Sequence, residues 1–153
     1  ITIGGASVGD HDLVGDVAAE LGMDRSFYKI AMRPGKPLMA GRLANGAMMI
    51  GLPGNPVSAM VCGALFLVPM IKLMLGLGAE AAAPLEATLA APVTRNGPRQ
   101  HYMRARVEDG RLTAFENQDS SLLTVLAAAN ALLIRPPHDP AREAGETVHY
   151  LPI

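Results

Sequence analysis

Hydrophobic positions along the chain change their period four times. Ile1-Thr2-Ile3 reads as a strand running into the glycine loop Gly4-Gly5-Ala6-Ser7-Val8-Gly9-Asp10-His11-Asp12. From Asp12 the spacing is helical, with Leu13, Val17 and Leu21 on one face, Asp16 and Glu20 outside, and Gly22 at the C′ position that closes a helix. Three short apolar runs follow, at 27–32, 38–43 and 47–52, parted by Arg33-Pro34-Gly35-Lys36-Pro37 and by Ala44-Asn45-Gly46. They predict strand, loop, strand, tight turn, strand, because Asn-Gly favours the positive φ angles of a two-residue hairpin. Asn55 then offers an N-cap and Pro56 fills the first helical position, where a missing N–H is harmless. A long helix is predicted from there to about Leu75.

The stretch 57–71 carries no charge. A membrane span needs about 20 apolar residues, and Pro69 and Lys72 are expected to cut this one short, so no membrane partner is predicted. A helix without a polar stripe is expected to be covered all round, by its own sheet and by another domain or subunit. Met60, Met70 and Met74 then read as core filler. Residues 76–84 form an Ala/Gly linker. Beyond it the period becomes two, at 85–93, 102–107, 112–115, 131–134 and 147–151, with a turn or two of helix within 120–129. Such a run of short strands predicts a small β-barrel or sandwich. The fold class is therefore α/β: part of a layered α/β domain over residues 1–75, the linker, and a β-barrel domain over 85–153.

Composition narrows the function. The 153 residues are 50% apolar with a formal net charge of -1 and no run of Lys or Arg, which excludes nucleic acid as a bulk partner. A single cysteine, Cys62, leaves no disulfide framework and fits a reducing compartment. His11, His101, His138 and His149 lack ligand spacing for zinc, and no Gly-x-Ser-x-Gly elbow is present to make Ser7 a nucleophile.

What remains is anion chemistry. In the first loop Gly4, Gly5 and Gly9 let backbone amides approach a ligand, and Ser7 adds a hydroxyl. Asp10 and Asp12 suit such a site if Mg²⁺ bridges carboxylate and phosphate oxygens, with Asp12 the preferred metal ligand or catalytic acid; its competing role is to cap the helix. Arg33 and Lys36 flank the stiff Pro34-Gly35 turn, Lys29 lies on the preceding strand, and three cations there would neutralise a polyanion.

Gly4-Gly5-Ala6-Ser7-Val8-Gly9-Asp10-His11-Asp12, then Tyr28-Lys29-Ile30-Ala31-Met32-Arg33-Pro34-Gly35-Lys36-Pro37, then Gly51-Leu52-Pro53-Gly54-Asn55-Pro56-Val57-Ser58-Ala59, taken together, resemble the molybdopterin molybdenumtransferases, the MoeA and gephyrin E-domain family. The segments from Pro98-Arg99 to Val148 resemble that family's C-terminal β-barrel. The resemblance implies a partial molybdopterin-binding (MogA-like) three-layer domain before the barrel. It also implies a cytoplasmic homodimeric enzyme that inserts molybdate into adenylylated molybdopterin with Mg²⁺ present and releases AMP.

By motif position Asp12 matches the loop aspartate, and Lys29, Arg33 and Lys36 match the basic cluster, with Asp12, Lys29 and Lys36 catalytic. Gly4, Gly5, Ser7, Gly9, Pro34, Gly35, Pro53, Gly54, Asn55, Pro56 and Ser58 would hold the pterin nucleotide, with Arg99 and Ser120 from the barrel. Asp10 would share the metal. His101 stands where an acid is common. The family's first two domains are absent, so the chain is expected to be part of a longer protein and inactive alone. Alternatives are a molybdopterin adenylyltransferase-like enzyme, or a gephyrin-like scaffold binding a partner protein.

Overall fold

The computed structural model describes residues 1–5, 13–78 and 82–153. The glycine-loop residues Ser7, Gly9, Asp10 and Asp12 lie outside the described residues.

The first half forms a four-stranded sheet in the order β1 (Thr2–Ile3), β5 (Met48–Leu52), β4 (Met39–Arg42), β2 (Asp24–Tyr28). The β1–β5 pair is parallel, while β4 runs antiparallel to both its neighbours. The β4–β5 turn holds Asn45-Gly46 as the sequence predicts, but as the three-residue connection Ala44-Asn45-Gly46 closed by the Leu43 amide on the Ala47 carbonyl, with Gly46 at φ +85° and Asn45 not in the positive-φ region. Helix α1 (Val14–Glu20) ends in a Schellman motif: the Gly22 and Met23 amides donate to the carbonyls of Ala19 and Ala18. Its N-cap position falls on Leu13, which has no side-chain acceptor, rather than on Asp12.

The strand expected at 27–32 is broken. Lys29 turns to φ +63°, and its amide and that of Ile30 close a loop onto the carbonyls of Leu38 and Lys36, both at 3.0 Å. The chain then leaves for the second sheet, where β3 (Met32–Arg33) pairs in parallel with β7 (Gln100–Glu108).

Asn55 caps α2 (Pro56–Cys62), its side chain accepting from the Ser58 amide at 3.2 Å. The helical path is not cut at Pro69. It passes through a π-helical turn, Gly63–Leu67, into α3 (Val68–Met74), and the wide turn accommodates the proline ring one residue into α3. Nineteen residues long, the path is apolar enough to cross a membrane by length and composition. Among the described residues the helical path is covered on one side only, and the cover expected from another domain or subunit is not supplied by them. Val57, Ser58, Val61 and Cys62 are buried, Met70 packs against the core, and Met60 and Met74 are 63% and 66% exposed rather than core filler. The apolar face of α1, Leu13, Val17 and Leu21, is likewise exposed. Both helices present apolar faces that no described residue covers.

In the second half β7, β8 (Arg111–Ala114), β6 (Leu85–Leu89), β10 (Thr147–Pro152) and β9 (Ala131–Arg135) close a five-stranded barrel, with β7–β9 as the closing pair. Helix α4 (Leu123–Ala128) lies between β8 and β9. Strand alternation divides β9 between two cores. Ala131 and Leu133 face Leu89, Ala105 and Leu112 inside the barrel, whereas Leu132 joins Leu38, Ile50, Val61 and Cys62 from the first half. That shared core holds the barrel against the helix and sets up the cleft above it.

Candidate functional site

The loop 33–37 hangs over a cleft of about 730 Å³ whose other walls come from the barrel half, with Ser58 of α2 completing the lining. Pairing of β3 with β7 sets Arg33 opposite His101, and the Gln100 amide donates to the Ala31 carbonyl at 3.0 Å. Pro34 and Gly35 are buried, which leaves the side chains of Arg33 and Lys36 as the exposed parts of the loop.

A second wall is the segment Thr94 to Arg99. Asn96 rivets it down, its amide nitrogen lying 2.9, 3.1 and 2.6 Å from the carbonyls of Arg99, Arg135 and Pro136. The third wall, Glu116 to Ser120, is held by a buried arginine. Arg104 is 1% exposed, and its guanidinium donates to Gln118 Oε1 at 3.2 and 3.1 Å and to the Asp119 carbonyl at 3.1 Å. Gln118 returns two bonds, from Nε2 to the carbonyls of Arg104 and Phe115. A buried charge needs this complete set of acceptors.

The cleft is cationic. Arg33, Lys36, Arg95 and Arg99 reach it from the surface, against Glu116 and Asp119. Arg135 also lines it, but Asp139 pairs with Arg135 below. Burial pushes the Asp139 carboxyl up, yet hydrogen bonds from Arg142 and Arg135 outweigh it and leave the group below its ordinary value. Asp119 is likewise lowered, chiefly by the Ser121 amide donating to its carboxylate. His101, on the cleft floor, is lowered to about 4 by burial and then by Arg33, Arg104, Arg135 and Arg99. Its ring is neutral at physiological pH, so the floor offers an N–H and no additional full charge. Convergent guanidinium groups, an ammonium and hydroxyls suit a phosphate-like or tetrahedral oxyanion.

Models of two protein families match the chain: a probable molybdopterin binding domain over residues 1–73, and the MoeA C-terminal region, domain IV, over residues 86–153. The chain belongs to the MoeA family. It is 37% identical over 155 residues to the molybdopterin molybdenumtransferase of Bacillus subtilis, covering 99% of this chain and 36% of that protein. To molybdopterin molybdenumtransferase 2 of Mycobacterium tuberculosis it is 36% identical, covering 87% of this chain and 34% of that protein. A solved molybdopterin biosynthesis MoeA protein from Pyrococcus horikosii superposes with a TM-score of 0.77 at 26% identity, over 92% of this chain and 34% of that one. The chain thus spans about a third of the length of the relatives it matches. The barrel joined to the molybdopterin-binding type of domain is the pairing expected of a MoeA protein.

Of the residues singled out from the MoeA resemblance, Arg33, Pro34, Gly35, Lys36, Ser58, Arg99 and Ser120 line one cleft. Gly4, Gly5, Pro53, Gly54, Asn55, Pro56 and Lys29 are not among the lining residues. Gly4 and Gly54 press together instead: a Cβ added at Gly54 would lie 3.2 Å from the Gly4 Cα. Asn55 spends its carbonyl on capping, and Lys29 is exposed with its ammonium 4.8 Å from the Tyr28 ring centroid. Arg95, His101, Gln118 and Asp119 line the cleft without having been foreseen. Arg95, next to the expected Arg99, could have been read from the sequence; nothing there marks Gln118.

Proposed function

We propose that the protein carrying this chain is a molybdopterin molybdenumtransferase that inserts molybdate into adenylylated molybdopterin and releases AMP. The observation that carries this reading is the meeting of Arg33 and Lys36 with Arg95, Arg99 and Ser120 across one cleft beside a neutral His101. The names of the relatives supply the reaction class.

In this reading Arg33, Lys36 and Arg99 offset the charge of phosphate and molybdate oxygens, and Ser58 and Ser120 donate hydroxyl hydrogens. Fixed donors of this kind are most effective where charge develops as the phosphoanhydride breaks. Pro34 and Gly35, buried beneath the cations, hold them in place. Lys29 keeps a part only through a substrate long enough to leave the cleft. Asp10 and Asp12, outside the described residues, would hold magnesium, which would offset phosphate charge. Among the described residues no three of His, Cys, Asp and Glu come together to hold a metal ion. The uncovered apolar faces of α1 and of the helical path 56–74 fit a homodimer, and buried, unpaired Cys62 fits the cytoplasm.

The test is molybdate insertion by the full-length protein. Arg33→Ala and Lys36→Ala are each expected to lower turnover roughly tenfold to a hundredfold, as loss of a charge-assisted bond does. Asp12→Ala is expected to abolish insertion and leave the fold intact. Wild-type turnover in all three variants would overturn the assignment.

A further inference from the structure

We propose that His101 takes up a proton from solvent when a divalent oxyanion enters the cleft, so that this site binds its anion and a proton together. The inference rests on the reading of the cleft as an oxyanion site, and it assigns His101 a task that the reading does not require.

His101 is 7% exposed and lines the cleft, yet its ring makes no hydrogen bond to any described residue. Its ring nitrogens are not among the buried polar atoms left without a partner, so they open onto the cleft and keep their bonding capacity for whatever fills it. The groups around it explain its resting state. Arg33 faces it from β3 and Arg135 from β9, as cross-strand partners on either side. Arg99, just before β7, and Arg104, within it, lie near the ring, while Glu116 and Asp119 stand on the opposite wall. Arg135 is compensated by Asp139 and Arg104 is held by neutral acceptors, so Arg33 and Arg99 are the charges that meet the ring without a partner of their own among the described residues. In this field a proton on the imidazole adds one more positive charge to several, and the ring stays neutral.

A dianion reverses that balance. Two negative charges among the arginines offset the repulsion, burial of the cleft by the ligand lowers the local dielectric, and a charged ring gains a charge-assisted bond that a neutral one lacks. The proton comes from water or buffer, forms an N–H bond on the free ring nitrogen, and leaves when the anion leaves. Nothing else in the site changes its bonding.

Sulfate is the probe, because it stays fully ionised over the working range and any proton taken up must sit on the protein. Calorimetry with the full-length protein, in two buffers of different ionisation heat at pH 6, is expected to show a fraction of a proton absorbed per sulfate. Sulfate affinity is expected to rise about tenfold from pH 7 to pH 5, as linkage through one histidine allows. In His101→Gln both the uptake and the pH dependence are expected to vanish.

A titration of the wild-type His101 ring by NMR guards against a variant that does not fold: its midpoint is expected to rise when sulfate is added. Sulfate binding without uptake, or an unmoved His101 midpoint, overturns the proposal and leaves the oxyanion site standing. Uptake that persists in folded His101→Gln overturns it as well. Failure of sulfate to bind, or binding indifferent to Arg33→Ala and Lys36→Ala, removes the oxyanion reading and this proposal with it.

Discussion

The thiol of Cys62 lies directly beneath Gly35, its sulfur 3.8 Å from the Gly35 carbonyl oxygen. The cation-bearing loop therefore rests on the apolar helix α2, and its backbone path is fixed by what fits between them. Gly35 has φ +106°, and a Cβ there would collide with the Cys62 sulfur and come within 3.4 Å of the Met32 methyl.

Gly35→Ala is accordingly expected to destabilise the fold by about 2 kcal/mol or more, through backbone strain and overpacking together. Urea unfolding measures it. Adding Cys62→Ala should recover only part of the loss, because the collision is relieved and the strain is not. Full additivity of the two substitutions would show that they do not touch.

Burial of the Cys62 thiol pushes its pKa up from 9.0 to about 12. The unfolded chain thus loses this proton first as pH rises. The stability concerned is complete below about pH 9 and declines toward pH 12, by at most about 1.4 kcal/mol per pH unit. Urea midpoints at pH 8 and pH 10.5 are expected to fall more steeply for the wild type than for Cys62→Ala, and iodoacetamide should label the native thiol far more slowly than the unfolded one.

His101 sets the opposite dependence. Its folded value of about 4 lies below the ordinary 6.5, so between those limits the unfolded chain holds more protons. Stability is complete above about pH 6.5 and declines as pH falls toward 4, by at most about 1.4 kcal/mol per pH unit. His101→Gln is expected to flatten this slope between pH 7 and 4.5 in the absence of anions. An unchanged slope would place the acid sensitivity elsewhere.

Gln118 accepts from the Arg104 amide and guanidinium at once. Gln118→Ala leaves a buried cation short of acceptors and is expected to cost about 2–3 kcal/mol. Gln118→Glu restores the acceptor but not the two donated bonds, so it should recover part of that stability. The outward consequence is a looser 116–120 wall and weaker sulfate binding in Gln118→Ala. Binding as tight as in the wild type would separate the clamp from the cleft.

Local chemistry carried the sequence reading furthest. Gly22, Asn45-Gly46 and Asn55-Pro56 act within a few residues of themselves, and each closes or opens its element where the spacing predicts. The five barrel strands follow from alternation, to within a few residues at their ends. Long-range placement was not legible. Nothing local shows that Met32 and Arg33 desert the strand before them, that the helix widens ahead of Pro69, or that α1 leaves its apolar face uncovered. The walls at 94–97 and 116–120 are irregular backbone without a period, and their meeting with Arg33 and Lys36 depends on the barrel's closure. Lys29 illustrates the difference: alternation put it on a strand face, and one left-handed residue turned it aside.

The two residues of β3 have a reach beyond their size. Although they follow the first sheet in sequence, they are hydrogen-bonded to β7, so Arg33 belongs mechanically to the barrel while Ser58 belongs to the helix across the gap. Any rocking of one half on the other would carry Arg33 along with His101 and Arg99 as a single jaw, while Gly35, seated on Cys62, would keep Lys36 with the helix and Ser58, so the spacing between the two sets of cations would follow the motion.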